Sequence, residues 1–296
     1  MSDITHPTRY TFVELDDVRV FYREAGPEQA PVVLLLHGFP TSSHMYRDLI
    51  PGLSRQYRVI APDLPGFGYT EAPPRGQFEY TFEALYRIIE AFTEALALDR
   101  YALMVFDYGA PVGFRLAAAN PARVTALISQ SGNAYREGLL DSWNPFRAYW
   151  EDPESADRRN DLRTVLTRDT TRFQYTHGVP EDRLTRISPD AMAHDQAILD
   201  RDPEVQLDLF RDYKSNVDRY PHWQDYLRRH RPPLLATWGK NDPFFGPDGA
   251  RAFARDVPDA EIHLFDTGHF ALETHRPEIE ALILDFLKRK VLRLPR

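Results

Sequence analysis

The sequence predicts an α/β fold: a mainly parallel sheet flanked by helices, with a helical segment inserted late in the chain. Two observations carry this. Short apolar runs alternate with longer stretches of helical periodicity, the signature of strands joined through helices. Between residues 134 and 231 the strand-like runs stop, then resume near the C-terminus. A chain of 296 residues holds one large domain, or a core with an inserted subdomain, and buries a sizeable core.

The elements follow in order. Residues 11–15 and 18–22, split by Asp16 and Asp17, predict an opening hairpin. Residues 31–36 (PVVLLL) read as a buried strand ending in His37-Gly38-Phe39-Pro40. Residues 58–61 read as another, ending in the turn Pro62-Asp63-Leu64-Pro65-Gly66-Phe67-Gly68. Residues 80–98 predict a helix capped by Thr81. Residues 101–106 predict a strand, 110–119 a helix and 124–129 a sixth strand. Near the C-terminus 234–238 and 261–264 repeat the strand pattern, and 277–291 close the chain with a helix.

These readings divide the chain into core residues 1–133, a helical cap over 134–230, and core residues 231–296. Within the cap segment charges, prolines and aromatics mix in short helix-like pieces. Trp143, Phe146, Tyr149, Trp150, Phe173, Tyr175, Phe210, Tyr213, Tyr220 and Trp223 are too many aromatics for a chain that never packs. No internal repeat or low-complexity tract is found.

Composition narrows the function. A net charge of −8 and a pI near 5.7 give no basic face for a nucleic acid. Without cysteine there is no disulfide, thiolate metal site or cysteine nucleophile. The first residues carry acids where a signal peptide needs an apolar stretch, and no run approaches a membrane span, so a cytoplasmic protein is expected. None of the ten histidines shows metal-ligand spacing, and no metal or organic cofactor is expected.

The chemistry begins at VFDYGAPVG, residues 105–113, where an apolar strand turns sharply into a helix. Such an elbow lifts its central side chain above the sheet in a strained conformation, and small residues nearby let the backbone turn. Asp107 is that central residue, and Gly109 and Ala110 supply the room. Val105 stands where serine elbows usually carry glycine. An aspartate at a strand end also caps a helix well, so the elbow alone does not make it a nucleophile. Two later strand ends change that reading. Gly239-Lys240-Asn241-Asp242-Pro243 follows one strand and Asp266-Thr267-Gly268-His269-Phe270 the next, giving the chain order nucleophile, acid, histidine. In this order Asp242 holds one imidazole nitrogen of His269 and stabilises the ring when it takes a proton.

The chain therefore resembles an α/β-hydrolase, and within that superfamily the aspartate-nucleophile branch of epoxide hydrolases and haloalkane dehalogenases. The resemblance runs through HGFPTSSHMYRDLIP, APDLPGFGYT, VFDYGAPVG, WGKNDPFF and DTGHFALETH and is weak in the cap. It implies that Asp107 displaces a leaving group from an sp³ carbon, forming an alkyl-enzyme ester, and that His269 deprotonates the water that hydrolyses it. The backbone N–H groups of Phe39 and Tyr108 take the places of the oxyanion hole. His37 reads as scaffold, and the bond before Pro40 is a candidate cis peptide.

The leaving group separates two readings. Haloalkane dehalogenases typically carry asparagine where Phe39 stands and tryptophan where Tyr108 stands. Fluoroacetate dehalogenases share the HGFP-like turn but place arginines where Tyr108 and Pro111 stand. The HGFP turn is similar to that of epoxide hydrolases, which draw ring-opening tyrosines from the cap. Tyr213, in the segment DYKSN, is the first candidate acid. Phe173-Gln174 resembles the Phe-Gln segment of that family, but Asp169 stands where its other cap tyrosine precedes it, leaving Tyr175, His177 or Tyr149 as substitutes. The expected activity is epoxide hydrolysis of a small, moderately apolar substrate by a monomer or homodimer. Haloalkane or haloacid dehalogenation is the alternative, and a non-catalytic ligand-binding role on the same fold is a third. A serine hydrolase is disfavoured because Ser131 follows the wrong strand.

Overall fold

The computed structural model describes residues 6–292. Eight strands form one sheet in the order β1-β2-β4-β3-β5-β6-β7-β8, where β1 is Arg9–Leu15, β2 Val18–Ala25, β3 Val32–Leu36, β4 Arg58–Pro62, β5 Tyr101–Phe106, β6 Val124–Gln130, β7 Leu234–Gly239 and β8 Glu261–Phe265. The opening hairpin β1-β2 and the β2-β4 pair are antiparallel, and every later pair is parallel. All the expected strands form, with ends displaced by at most three residues.

Parallel strands covered on both faces need apolar residues at every position, which is why VVLLL and YALMVF read as continuous runs rather than alternating ones. Successive side chains still divide by face. Leu34, Leu36, Leu103 and Val105 join the core layer under α2 (Phe82–Ala95) and α3 (Gly109–Ala119). Val33, Leu35, Met104 and Phe106 join the opposite layer, beneath the short α1 (Ile50–Leu53) and the C-terminal helix. Thr81 caps α2 as expected, its side chain accepting from the Ala84 N–H at 3.2 Å.

Between β6 and β7 the described residues form helices and turns without a strand: α4 (Asn144–Glu151), α5 (Ala156–Asp161), α6 (Arg168–Thr176), α7 (Pro189–Leu199) and α8 (Pro203–His230). The 28-residue α8 buries Phe210, Tyr213, Val217, Tyr220 and Trp223 along one side, and so ties the insertion to the core layer over α3. After β7 come α9 (Pro247–Asp256) and, beyond β8, α10 (Ala271–Lys290). This last helix begins six residues before the expected start at Pro277. A turn from Ala271 joins it across a kink at His275 (φ −130°), and the proline sits just beyond that kink.

Candidate active site

The C-terminal ends of the parallel strands bring Asp107, Asp242 and His269 together. Asp107 follows β5 with φ of 46°, a left-handed conformation that a non-glycine residue adopts at a cost. Gly109 makes the turn passable, since a Cβ there would lie 2.1 Å from the Leu36 carbonyl oxygen. The unusual Val105 is accommodated across the elbow: a Cβ on Gly113 would lie 2.5 Å from its Cγ1, so a glycine on the helix provides the room that serine elbows obtain from a glycine on the strand.

The two carboxylate oxygens of Asp107 have different surroundings. Oδ1 accepts the N–H of Phe39 at 2.6 Å and that of Tyr108 at 2.5 Å. Oδ2 lies 3.9 Å from His269 Nε2, beyond hydrogen-bonding distance. On the far side of the imidazole, Nδ1 lies 2.8 Å from Asp242 Oδ2. Asp242 is itself fixed, Oδ1 accepting the N–H groups of Phe244 and Phe245 at 2.9 and 3.1 Å. A carboxylate so placed selects the tautomer with the proton on Nδ1, which turns the Nε2 lone pair toward Asp107.

Burial sets the electrostatics. It pushes Asp107 up to about 6, against the opposing pull of His269 and the two N–H donors. Burial alone would lower His269, but the Asp242 charge, its hydrogen bond and the Asp107 charge outweigh it and hold the imidazole above its ordinary value. His37 occupies a scaffold position: its Nε2 accepts the Leu64 N–H at 2.9 Å, its Nδ1 faces the Gly38 carbonyl, and burial keeps it neutral. The Phe39–Pro40 bond is cis.

A cavity of about 30 Å³ lies over this group. The core lines it with Phe39, Asp107, Tyr108, Phe244 and His269, and the insertion with Trp143, Phe146, Val165, Gln174 and Phe210. The walls are mostly apolar, as pockets for small organic ligands are. Tyr213 packs at the cavity's edge rather than in its wall. Its ring lies 4.5 Å from that of Trp143 and 5.6 Å from that of Tyr108.

The three weaker cap candidates do not reach the cavity wall. Tyr175 turns the other way, stacking on Phe270 at 3.9 Å and donating its hydroxyl to Asp195 at 2.5 Å. Tyr149 is buried, with its hydroxyl accepting from Arg159 at 3.2 Å. His177 is exposed beyond the end of α6, its ring 4.5 Å from Phe173. The physical reason is helical phase: on α6 the residue before Tyr175 faces the cavity, and that residue is Gln174. The Phe173-Gln174 pair is legible in the sequence, but nothing there assigns Gln174 a role. Among the described residues no cluster of metal-ligating side chains occurs, and no helix is long and apolar enough to cross a membrane.

Comparison with known proteins bears on this geometry. Residues 31–276 match the model of a family described as alpha/beta hydrolase fold. An uncharacterised hydrolase of Saccharomyces cerevisiae is 44% identical over 265 residues, covering 88% of this chain and 90% of its own. A haloalkane dehalogenase of Mesorhizobium japonicum is 30% identical, with 97% and 94% covered. Among solved structures, an epoxide hydrolase of Vigna radiata superposes with a TM-score of 0.74 at 22% identity, covering 95% of this chain and 98% of that one.

Proposed function

The chain belongs to the α/β-hydrolase fold family, and from that premise we propose that it hydrolyses its substrate through an alkyl ester formed on Asp107. The observation that carries the reading is the unequal treatment of the two Asp107 oxygens, Oδ1 held by two backbone N–H groups and Oδ2 left toward His269. A carboxylate that attacked an ester carbonyl would form an anhydride, which gains nothing. Against an sp³ carbon it forms a stable ester and divides one difficult displacement into two steps.

In the first step Oδ2 bonds to carbon as the leaving group departs. Oδ1 becomes the ester carbonyl oxygen, already seated between the Phe39 and Tyr108 N–H groups where negative charge develops in the second step. There His269 Nε2 takes a proton from water, whose oxygen attacks the ester carbon, and Asp242 steadies the resulting imidazolium. The first step prepares the second: esterification removes the Asp107 charge, one of the influences that raise His269, and so favours the neutral imidazole required as base.

An epoxide opened to a vicinal diol is the substrate class this reading favours. Phe39 and Tyr108 replace the asparagine and tryptophan associated with halide binding, and Tyr213 stands beside the cavity as a phenol able to protonate a ring oxygen. An alkoxide is a far stronger base than a phenolate, so the transfer runs toward product even from a buried tyrosine. The second reading, a haloalkane giving an alcohol, draws on the similarity to haloalkane dehalogenases over nearly the whole chain.

The test is the intact mass of a His269→Gln variant after exposure to styrene oxide and, separately, to bromobutane. Loss of the base should strand the ester. A gain equal to the whole epoxide, mapped to Asp107, is the expected result; a butyl adduct without bromine instead selects dehalogenation. No adduct from either probe overturns the nucleophile assignment and leaves ligand binding without turnover as the role to test.

A further inference from the structure

The active-site cavity holds one polar side chain that the chemistry above does not use. Gln174 is 2% exposed, lines the cavity with Asp107 and His269, and its amide nitrogen is buried without a hydrogen-bond partner. Buried amide groups are almost always paired, because desolvating one without a partner is costly. The other donors at the wall differ. Trp143 Nε1 already gives its proton to the Phe244 carbonyl at 3.0 Å, and the Tyr108 ring is clamped edge-on by Phe82 and Phe67. The nucleophile and the His269 base present acceptors. Gln174 is therefore the amide donor left open in this wall.

Its position suits a departing atom. Gln174 belongs to α6 of the insertion, whereas Asp107 rises from the end of β5, so the two reach the cavity from opposite layers. A displacement at carbon sends the leaving atom away from the attacking oxygen, toward the insertion. Rotation about the terminal bond of the glutamine interchanges its oxygen and nitrogen at almost the same shape, so the N–H can turn to meet that atom.

Resting on the Asp107 reading, we infer that the Gln174 amide N–H hydrogen-bonds the leaving atom of the substrate, a ring oxygen or a halide, and stabilises the electron pair it receives. As Oδ2 forms the new carbon–oxygen bond, the bond from carbon to the leaving atom breaks and its electrons pass to that atom. A halide leaves as the anion and needs no proton. A ring oxygen becomes an alkoxide and takes its proton from the Tyr213 hydroxyl, whose phenolate recovers one from solvent; Gln174 keeps its own protons throughout. It is a contact that strengthens as charge develops, the condition for speeding the chemical step rather than only tightening binding.

The experiment follows the rate of Asp107 adduct formation by quenched intact mass in the His269→Gln background, with styrene oxide and with bromobutane, before and after adding Gln174→Met or Gln174→Glu. Methionine keeps the length without the donor. Alkylation should slow by about ten- to a hundredfold with methionine, and further with glutamate, whose charge opposes the departing pair. Slowing with styrene oxide alone assigns the contact to a ring oxygen, and with bromobutane alone to a halide. Thermal melting provides a readout that a structural role would move the other way. Gln174→Met should melt no lower than its parent, because an unpaired buried amide gives way to an apolar group. Unchanged alkylation with both probes, or a marked drop in melting temperature, overturns the inference while the Asp107 reading stands. If the His269→Gln parent takes no adduct from either probe, both fall together.

Discussion

The sheet core and the helical insertion contribute opposite walls to the same cavity, yet they reveal themselves differently. In the core, the proposed reacting groups sit where the backbone is most constrained. Asp107 holds a left-handed φ at a strand end, and its partners follow at the ends of β7 and β8. In the insertion, the cavity-facing residues are simply those that the phase and tilt of each helix turn inward: Trp143, Phe146, Gln174 and Phe210. On the proposed reading, reacting groups are fixed by turns, whereas groups that shape the leaving atom's surroundings are fixed by packing. Substitutions on the two walls should accordingly fail in different ways.

The largest effect belongs to the core. Asp107→Asn should remove turnover, by about 10⁴-fold or more, and abolish the covalent adduct. It should also stabilise the fold. The carboxyl titrates near 6 in the folded protein, above the ordinary value of 3.8, so folding favours the protonated form. Its contribution declines as pH rises from about 4 to about 6 and is unfavourable above that range. Asparagine can still accept the Phe39 and Tyr108 N–H groups. Melting curves should therefore show the variant gaining a few degrees at about pH 8 and less at about pH 5. An unstable Asp107→Asn protein would break the view that the core wall holds its proposed nucleophile at the expense of stability.

Asp242→Asn comes next, with a loss of about 10³- to 10⁴-fold, because an amide neither enforces the Nδ1 proton nor stabilises the imidazolium. The loss should fall on ester hydrolysis, so intact mass would find adduct accumulating on Asp107. Tyr213→Phe crosses to the insertion side and should cost about a hundredfold with styrene oxide. It should leave alkylation by bromobutane unchanged, since a departing halide takes no proton. Equal losses with both probes would show that Tyr213 acts through packing on Tyr108 and Trp143 rather than as an acid.

Legibility divides along the same line. Continuous apolar runs such as PVVLLL and YALMVF mark strands because both sheet faces are covered, and every core strand was readable from them. The elbow and its two partner loops were readable because each combines a strand end with a turn that few residue types can make. The start of α10 was not, since the kink at His275 joins a short turn to the helix through tertiary packing alone. In the insertion, Phe173, Gln174 and Tyr175 on α6 and His177 just beyond it follow in close succession, and residue type alone favoured the tyrosine and histidine. Neighbours on a helix point about 100° apart, so only the docking of α6 decides that Gln174 faces Asp107 and Tyr175 faces Phe270.

That division leads to the smallest predicted effect, at a tyrosine only one residue from the cavity wall. Tyr175→Phe keeps the ring that stacks on Phe270 and removes the hydroxyl bonded to Asp195. Turnover should be unchanged, because that hydroxyl is given to Asp195 and the ring to Phe270 rather than to the residues around Asp107. Stability should fall by about 1 kcal/mol, and by an amount that depends on pH. Burial pushes Asp195 up to about 7, while the Tyr175 hydroxyl pulls in the other direction by favouring the charged carboxylate. A folded value above the unfolded one means that the Asp195 contribution declines as pH rises from about 4 through about 7. Without the hydroxyl, the charged form loses a donor, the folded value rises further, and the decline steepens. The melting-temperature difference between Tyr175→Phe and its parent should thus be small at about pH 5, where Asp195 holds its proton in both proteins, and greatest at about pH 8. A loss of turnover would place the hydroxyl in the reaction after all and erase the contrast between adjacent residues of one helix, and a pH-independent difference would show that it does not bear on Asp195 protonation.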